Sequence, residues 1–271
     1  MKLKCGKFTI EGYSRSAIET YFKIPELKLS FDIGKAPLHI VPISNIFISH
    51  LHGDHAIGIP YYVAQRTLGR LPPGNIYLPS EAIEGMDVIL QQFARLEKSR
   101  RNYNLIPVKH GDEILYNKDY IIKVFETDHR IPSVGYQVIE IKKKLKPEYL
   151  GKSSLEIISL KKQGINIINE LKIPVITYIG DSSVSILDKY EFIKDSEILI
   201  LECTFLSPDH IDQAIKRRHI HLHDIKNKLE EFNNRYIILS HFSMRYTEET
   251  IRKYVYDSLS DKLKEKIFLF I

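Results

Sequence analysis

The segment Ser49-His50-Leu51-His52-Gly53-Asp54-His55 packs three imidazoles and a carboxylate directly behind the apolar run Asn45-Ile46-Phe47-Ile48. Neutral imidazole nitrogen and carboxylate oxygen are the usual ligands of zinc. In a turn, alternate residues can point at one centre while their neighbours point at a second a few ångströms away. The H-x-H-x-D-H run is therefore read as the heart of a metal site, against the alternative of surface histidines with no shared role.

Three further candidates are remote in sequence but share one local setting. His129 follows Ile121-Ile122-Lys123-Val124-Phe125, Asp181 follows Val175-Ile176-Thr177-Tyr178-Ile179-Gly180, and His241 follows Tyr236-Ile237-Ile238-Leu239-Ser240. Singly, a histidine or aspartate behind a strand is more often structural or solvated. Jointly they carry more, because strands of common orientation in packed sheets gather their carboxyl-terminal loops along one edge. The segment Arg218-His219-Ile220-His221-Leu222-His223 offers three more imidazoles, the natural proton donors near neutral pH; a charged turn before a helix is the competing reading. His39, His110 and His210 have no such setting and are read as surface or capping residues.

The elements that must position these residues alternate between strand and helix patterns along the whole chain. Strands are expected at 8–10, 28–32, 45–49, 75–78, 120–126, 135–141, 174–179, 198–201 and 235–240, most of them short and bounded by Gly, Pro, Asp or Asn. Helices are expected at 80–100, capped by Ser80, at 223–233, and at 247–263, capped by Thr247 ahead of Glu248 and Glu249. Residues 141–172 behave differently: Lys142, Lys143, Lys144, Lys146, Lys152, Lys161 and Lys162 stand among aliphatics interrupted by Pro147 and Gly164. This stretch is read as a protruding, partly helical arm.

A chain of 271 residues with 44% hydrophobic residues supports one α/β domain over 1–271, with the arm at 141–172 inserted in it. Cys5 and Cys203 are too few for a disulfide framework and lack a paired metal-binding spacing, which points to reduced intracellular thiols. The amino terminus has no continuous apolar region, and no run approaches the roughly 18 apolar residues a membrane span needs. A soluble, cytoplasmic protein without a membrane partner is expected. A net charge of +5 permits a polyanionic partner without demanding one.

The ordered set of the H-x-H-x-D-H run, His129, Gly180-Asp181 and His241 resembles the motifs of the metallo-β-lactamase superfamily, through nearly the whole chain. More narrowly, residues 48–60, 128–136, Glu202-Cys203-Thr204-Phe205 and 240–246 are similar to the corresponding blocks of ribonuclease Z in its short form, and 144–151 followed by 156–164 resembles that family's precursor-binding arm. The resemblance implies an αββα sandwich of two mixed sheets flanked by helices. It implies two zinc ions per subunit, the first held by His50, His52 and His129, the second by Asp54, His55 and His241, with Asp181 bridging. It also implies a homodimeric endoribonuclease that removes the 3′ trailer from precursor tRNA, leaving a 3′-hydroxyl tRNA and a 5′-phosphate trailer.

Within that frame Asp54 is expected to orient and deprotonate the attacking water besides touching metal. His219, with His221 as the fallback, is expected to protonate the leaving oxygen. Glu202 either holds that histidine in its tautomer or makes a structural hydrogen bond. Lys143, Lys144, Lys161 and Lys162 are expected to grip the RNA. The chain departs from the family where Leu201 precedes Glu202, where Ser182 follows Asp181, and at 12–17, where the amino-terminal Pro-x-x-x-Arg-Asn block is not recognisable. Two other readings use the same residues: a small-molecule metallo-hydrolase of phosphodiesters, thioesters or lactones, and a non-catalytic RNA-binding relative.

Overall fold

The computed structural model of the chain describes residues 1–271, and its central strands sort their apolar residues onto two faces. In the strand Ile198–Glu202, Ile198 and Ile200 join one core cluster while Leu199 and Leu201 join another. Phe47 faces the first of these clusters, and Ile46 and Ile48 face a third. Continuous apolar runs of this kind are what strands buried on both sides require.

The first sheet contains β1 (Lys2–Cys5), β2 (Phe8–Arg15), β3 (Glu19–Ile24), β4 (Leu29–Phe31), β5 (Asn45–Phe47), β6 (Gly74–Pro79) and β7 (Tyr103–Val108), in that spatial order. The second contains β8 (Glu113–Asn117), β9 (Tyr120–Glu126), β10 (Val134–Leu145), β11 (Ile168–Tyr178), β12 (Ile198–Glu202), β13 (Tyr236–Ser240) and β14 (Ile267–Leu269), again in order. Both sheets are mixed: β4 to β7 and β11 to β14 pair in parallel, the remainder antiparallel. Phe22, Phe31 and Phe47 meet Val124, Tyr136, Ile176 and Ile238 between the sheets. Helices Ile59–Leu68 and Ile83–Leu96 cover the outside of the first sheet through Tyr62, Val63, Met86 and Leu90. Helix Glu248–Ser258 and the turns around Ile225 and Leu229 cover the second. The layers are therefore helix, sheet, sheet, helix, as expected.

Several boundaries differ from the sequence reading. β1, β3, β7, β8 and β14 are additional strands; β8 alternates exposed and half-buried residues and has no fully buried position to mark it. Ser80 does not cap the helix behind it. Its hydroxyl donates to Glu81, a 3₁₀ turn intervenes, and the helix runs Ile83–Leu96. The expected helix at 223–233 is split into Leu222–Ile225 and the 3₁₀ turn Lys228–Glu231, with the break at Asn227, a residue whose side chain competes with helical backbone bonds. Thr247 does cap Glu248–Ser258, its hydroxyl accepting from the Thr250 amide at 3.2 Å.

The basic arm is a continuation of β10 and β11 beyond the sheet. β9 pairs with β10 only as far as Glu140, and β12 pairs with β11 only from Ile176, so 141–145 and 168–172 pair with each other alone. The hairpin is closed by helix Ser154–Lys162, begun by a capping box between Ser153 and Glu156. No helix of the chain is long and apolar enough to cross a membrane, and Cys5 and Cys203 are free and buried.

Candidate metal centre

The parallel strands β4, β5, β11, β12 and β13, together with β9, end along one edge, and the loops behind them carry the chemistry. There His50, His52, His129 and Asp181 place one ligand atom each within 4.8 Å of one another, and so do Asp54, His55 and His241. The Nδ1 of His52 lies 3.1 Å from Nε2 of both His50 and His129. Nε2 of His55 lies 3.2 Å from Nε2 of His241 and 3.4 Å from Oδ1 of Asp181. Asp181 turns its other oxygen towards His50 at 3.6 Å. Such separations match the edge of a tetrahedron about a zinc ion, about 3.3 Å for metal–nitrogen bonds of 2.0–2.1 Å.

Hydrogen bonds on the far side of each ring decide which nitrogen keeps a lone pair. Ser49 donates its hydroxyl to Asp32 at 2.8 Å and accepts from Nδ1 of His50 at 2.9 Å. Nδ1 of His55 donates to Asp32 at 2.7 Å, Nδ1 of His129 to the Arg218 carbonyl at 3.2 Å, and Nδ1 of His241 to the Thr204 hydroxyl at 3.0 Å. All four rings thus spend Nδ1 on a supporting group and turn Nε2 towards the cluster, the arrangement that supporting groups impose on metal ligands. Three lone pairs meeting at His50, His52 and His129 cannot satisfy one another and fit a shared cation.

The electrostatics agree. Burial, helped by the neighbouring imidazoles, holds His50 well below its ordinary pKa, and burial also lowers His52 and His129, so all three are neutral donors. Burial opposes the charge on His55, but Asp181 and Asp32 outweigh it and raise that ring well above its ordinary value; a cation at Nε2 would replace the proton. Burial likewise opposes ionisation of Asp181 and Asp54. For Asp181 the charges of His241 and His55 prevail and hold it far down, and for Asp54 the hydrogen bond from His241 brings it to about 2.

Two backbone features make the convergence possible. Gly180 has a φ of +74°, and an added Cβ would stand 2.8 Å from that of Ser49. Asp32 and His241 adopt φ of +52° and +58° although neither is glycine, a strain of about 1–2 kcal/mol each that surrounding contacts must hold.

Beside the cluster stands His219, its Nδ1 2.8 Å from Glu202 and 3.9 Å from Asp181. Burial works to lower its pKa, but the Glu202 carboxylate outweighs it and pushes it up to about 9. Glu202 also accepts from the Ser182 amide at 2.9 Å and from the Thr204 hydroxyl at 2.5 Å. His221 is turned away: its Nε2 contacts the Ser207 carbonyl at 2.8 Å and its Nδ1 accepts from the His223 amide at 3.0 Å. Lys143, Lys144, Lys161 and Lys162 are exposed on the arm, and Lys143 pairs across the hairpin with Glu170 at 3.3 Å.

Sequence reasoning missed Asp32, Thr204 and Arg218. Asp32 is fully buried and accepts from the Ser49 amide, the Ser49 and Tyr178 hydroxyls and His55. Its only sequence signal is an aspartate closing a strand. Asp32→Asn is expected to weaken metal binding by about 10–100-fold, read by competition against a chelator; unchanged affinity would show that His55 needs no such anchor.

The tRNase Z TRZ1 of Arabidopsis thaliana is 36% identical to this chain over 270 residues, covering 96% of this chain and 94% of that protein. The ribonuclease Z of Macrococcus caseolyticus is 26% identical, covering 88% and 85%. Among solved structures, the metallo-β-lactamase fold protein YhfI from Bacillus subtilis superposes with a TM-score of 0.63 at 16% identity over 96% of this chain and 94% of that one. Human short-form tRNase Z gives 0.58 at 19% identity over 98% and 90%. These superpositions establish the metallo-β-lactamase fold. No family model matches the chain.

Proposed function

The chain belongs to the ribonuclease Z family, and from that premise we propose that it is a zinc-dependent endoribonuclease that cuts the 3′ trailer from transfer-RNA precursors, leaving a 3′-hydroxyl tRNA and a 5′-phosphate trailer. The observation that carries this reading is His219, held by Glu202 at 2.8 Å beside the histidine and aspartate cluster. An RNA 3′ oxygen is a poor leaving group and needs a proton as it departs. A thioester or lactone hydrolase would use the same cluster without the basic arm, and a non-catalytic RNA-binding relative would have no use for the intact ligand set.

His50, His52 and His129 would hold one metal, Asp54, His55 and His241 the other, with Asp181 between them. When bound, the pair supplies water acidified to a pKa of about 7 and positive charge against the phosphoryl oxygens. Asp54, fixed by the Ala17 amide at 2.7 Å, orients the attacking water and takes its proton. His219 gives its proton to the departing 3′ oxygen, and Glu202 keeps the ring aimed and charged. The test is removal and return of metal: a chelated chain should lose precursor cleavage and recover it at about two equivalents of zinc per chain. Full activity after verified metal removal would overturn the reading.

The arm supplies affinity by charge, since folded RNA presents phosphates and 2′-hydroxyls rather than readable base edges. Lys144, Lys161 and Lys162 form no ion pair, unlike Lys143. Alanine at these three should raise the KM for precursor and flatten its salt dependence, while hydrolysis of a small phosphodiester stays intact. Equal damage to both substrates would contradict the role. We read residues 1–271 as one domain with 141–172 inserted; limited proteolysis should nick the arm and release no stable half.

A homodimer fits the apolar groove of about 580 Å³ between helices Ile59–Leu68 and Ile83–Leu96, where Ile57 is 63% and Phe93 47% exposed. Exposed apolar surface of this kind commonly marks an interface. Leu51 and Gly53 of the metal-binding loop line the same groove, so pairing there would steady the centre. Phe93→Glu is expected to shift the chain to monomer in light scattering; a monomeric parent protein would remove the proposal. The reading places the enzyme in the cytoplasm, where buried thiols stay reduced, and cell fractionation checks this.

A further inference from the structure

A second, polar cleft of about 560 Å³ opens between the ends of β6 and β7 and the loop that follows β9. His129 forms part of its wall and also stands 3.1 Å from His52, so the cleft adjoins the metal centre. Three of its charges, Arg218, Asp128 and Glu126, are already in ion pairs. Arg218 donates to Asp128 at 3.2 Å and to the His129 carbonyl at 2.9 Å, and Glu126 pairs with Lys189 at 2.9 Å, while Glu81 accepts only the Ser80 hydroxyl at 3.0 Å and keeps its charge unpaired. Two cations remain: the side chains of Lys109 and Arg130 are exposed and have no ion pair. Only three of the fifteen lining residues are hydrophobic, so the cleft is built to meet charge and offers little surface for stacking a base.

Resting on the nuclease reading, we infer that this cleft holds the phosphodiester next to the scissile one, with Lys109 and Arg130 as its cationic contacts. Its size suits a nucleotide, lying within the range of about 300–1,000 Å³ of small-molecule sites. Contact through charge alone makes the recognition independent of sequence, as phosphate contacts are. The neighbouring phosphodiester can come from the trailer, beyond the cut, or from the last residues of the tRNA body, before it. A trailer of one nucleotide has no phosphodiester beyond the cut, and this separates the two sources.

The experiment compares the metal-loaded parent chain with the double variant Lys109→Ala/Arg130→Ala, and with Lys118→Ala as a control for general charge, on precursors with trailers of one and of several nucleotides. The double variant should raise KM on the longer trailer by about tenfold, with a smaller effect on kcat. It should reduce the slope of log kcat/KM against log salt by about 0.7 for each lost contact, with an unchanged melting temperature, and Lys118→Ala should change neither. Loss confined to the longer trailer assigns the cleft to the trailer; equal loss on both assigns it to the tRNA body. KM and salt slope unmoved in a double variant, with the parent cutting normally, would overturn the cleft assignment alone. A metal-loaded parent that cuts no precursor would overturn the nuclease reading beneath it.

Discussion

Asp181→Ala is expected to lower precursor cleavage by about four orders of magnitude or more and to strip the chain of most of its bound metal. The carboxylate is almost completely buried, and its two oxygens face the two halves of the cluster. Oδ1 lies 3.4 Å from His55 and from His241, while Oδ2 faces His50 at 3.6 Å. Its removal leaves the imidazoles of the two halves converging with no anion shared between them. Two cations held close together would then repel one another without a shared negative ligand, so at least one should be lost. Metal content by elemental analysis and cleavage rate are measured on the same preparation, with thermal melting to show that the fold survives. A variant that keeps its metal and its rate would remove Asp181 from the centre.

His219→Ala is expected to slow RNA cleavage by about 10²–10⁴-fold, while hydrolysis of bis(p-nitrophenyl) phosphate falls by less than about tenfold. The difference follows from the leaving groups. A nitrophenolate departs without a proton, whereas a ribose 3′ oxygen does not. With its pKa pushed up to about 9 by Glu202, His219 carries the proton at neutral pH, and the parent rate on RNA should fall as the pH rises through the value at which that proton is lost. Bound cations nearby move this limb towards lower pH, and His219→Ala should lack it. Equal loss on both substrates would give His219 a different part, because Asp181, His219 and His241 also place ligand atoms within 4.8 Å of one another.

The convergence of these side chains was legible in sequence wherever a residue type was tied to a local pattern. His50, His52, Asp54 and His55 sit in one turn, and His129, Asp181 and His241 each follow an apolar strand whose carboxyl end the sheet places at the common edge. Asp32, Thr204 and Arg218 were not legible, because their importance lies in partners far along the chain: Asp32 meets Tyr178, Thr204 meets His241, and the Arg218 carbonyl meets His129. No spacing rule connects such pairs before the sheets assemble. The fold shows the same division. Strands buried on both faces, such as β5, β12 and β13, announced themselves by continuous apolar runs. β8 did not, because its residues are half-buried at most, and the helix expected at 223–233 failed because its apolar spacing serves two short turns packed on one core.

The most direct test of the central claim is to map, to the nucleotide and with end-group analysis, the products that the metal-loaded chain makes from a 3′-extended transfer-RNA precursor. A single cut at the base of the trailer, leaving a 3′-hydroxyl on the tRNA and a 5′-phosphate on the trailer and lost in His52→Ala, is the predicted result. An uncut precursor, from a protein that still hydrolyses a small phosphodiester or thioester, would contradict it and make the chain a small-molecule hydrolase.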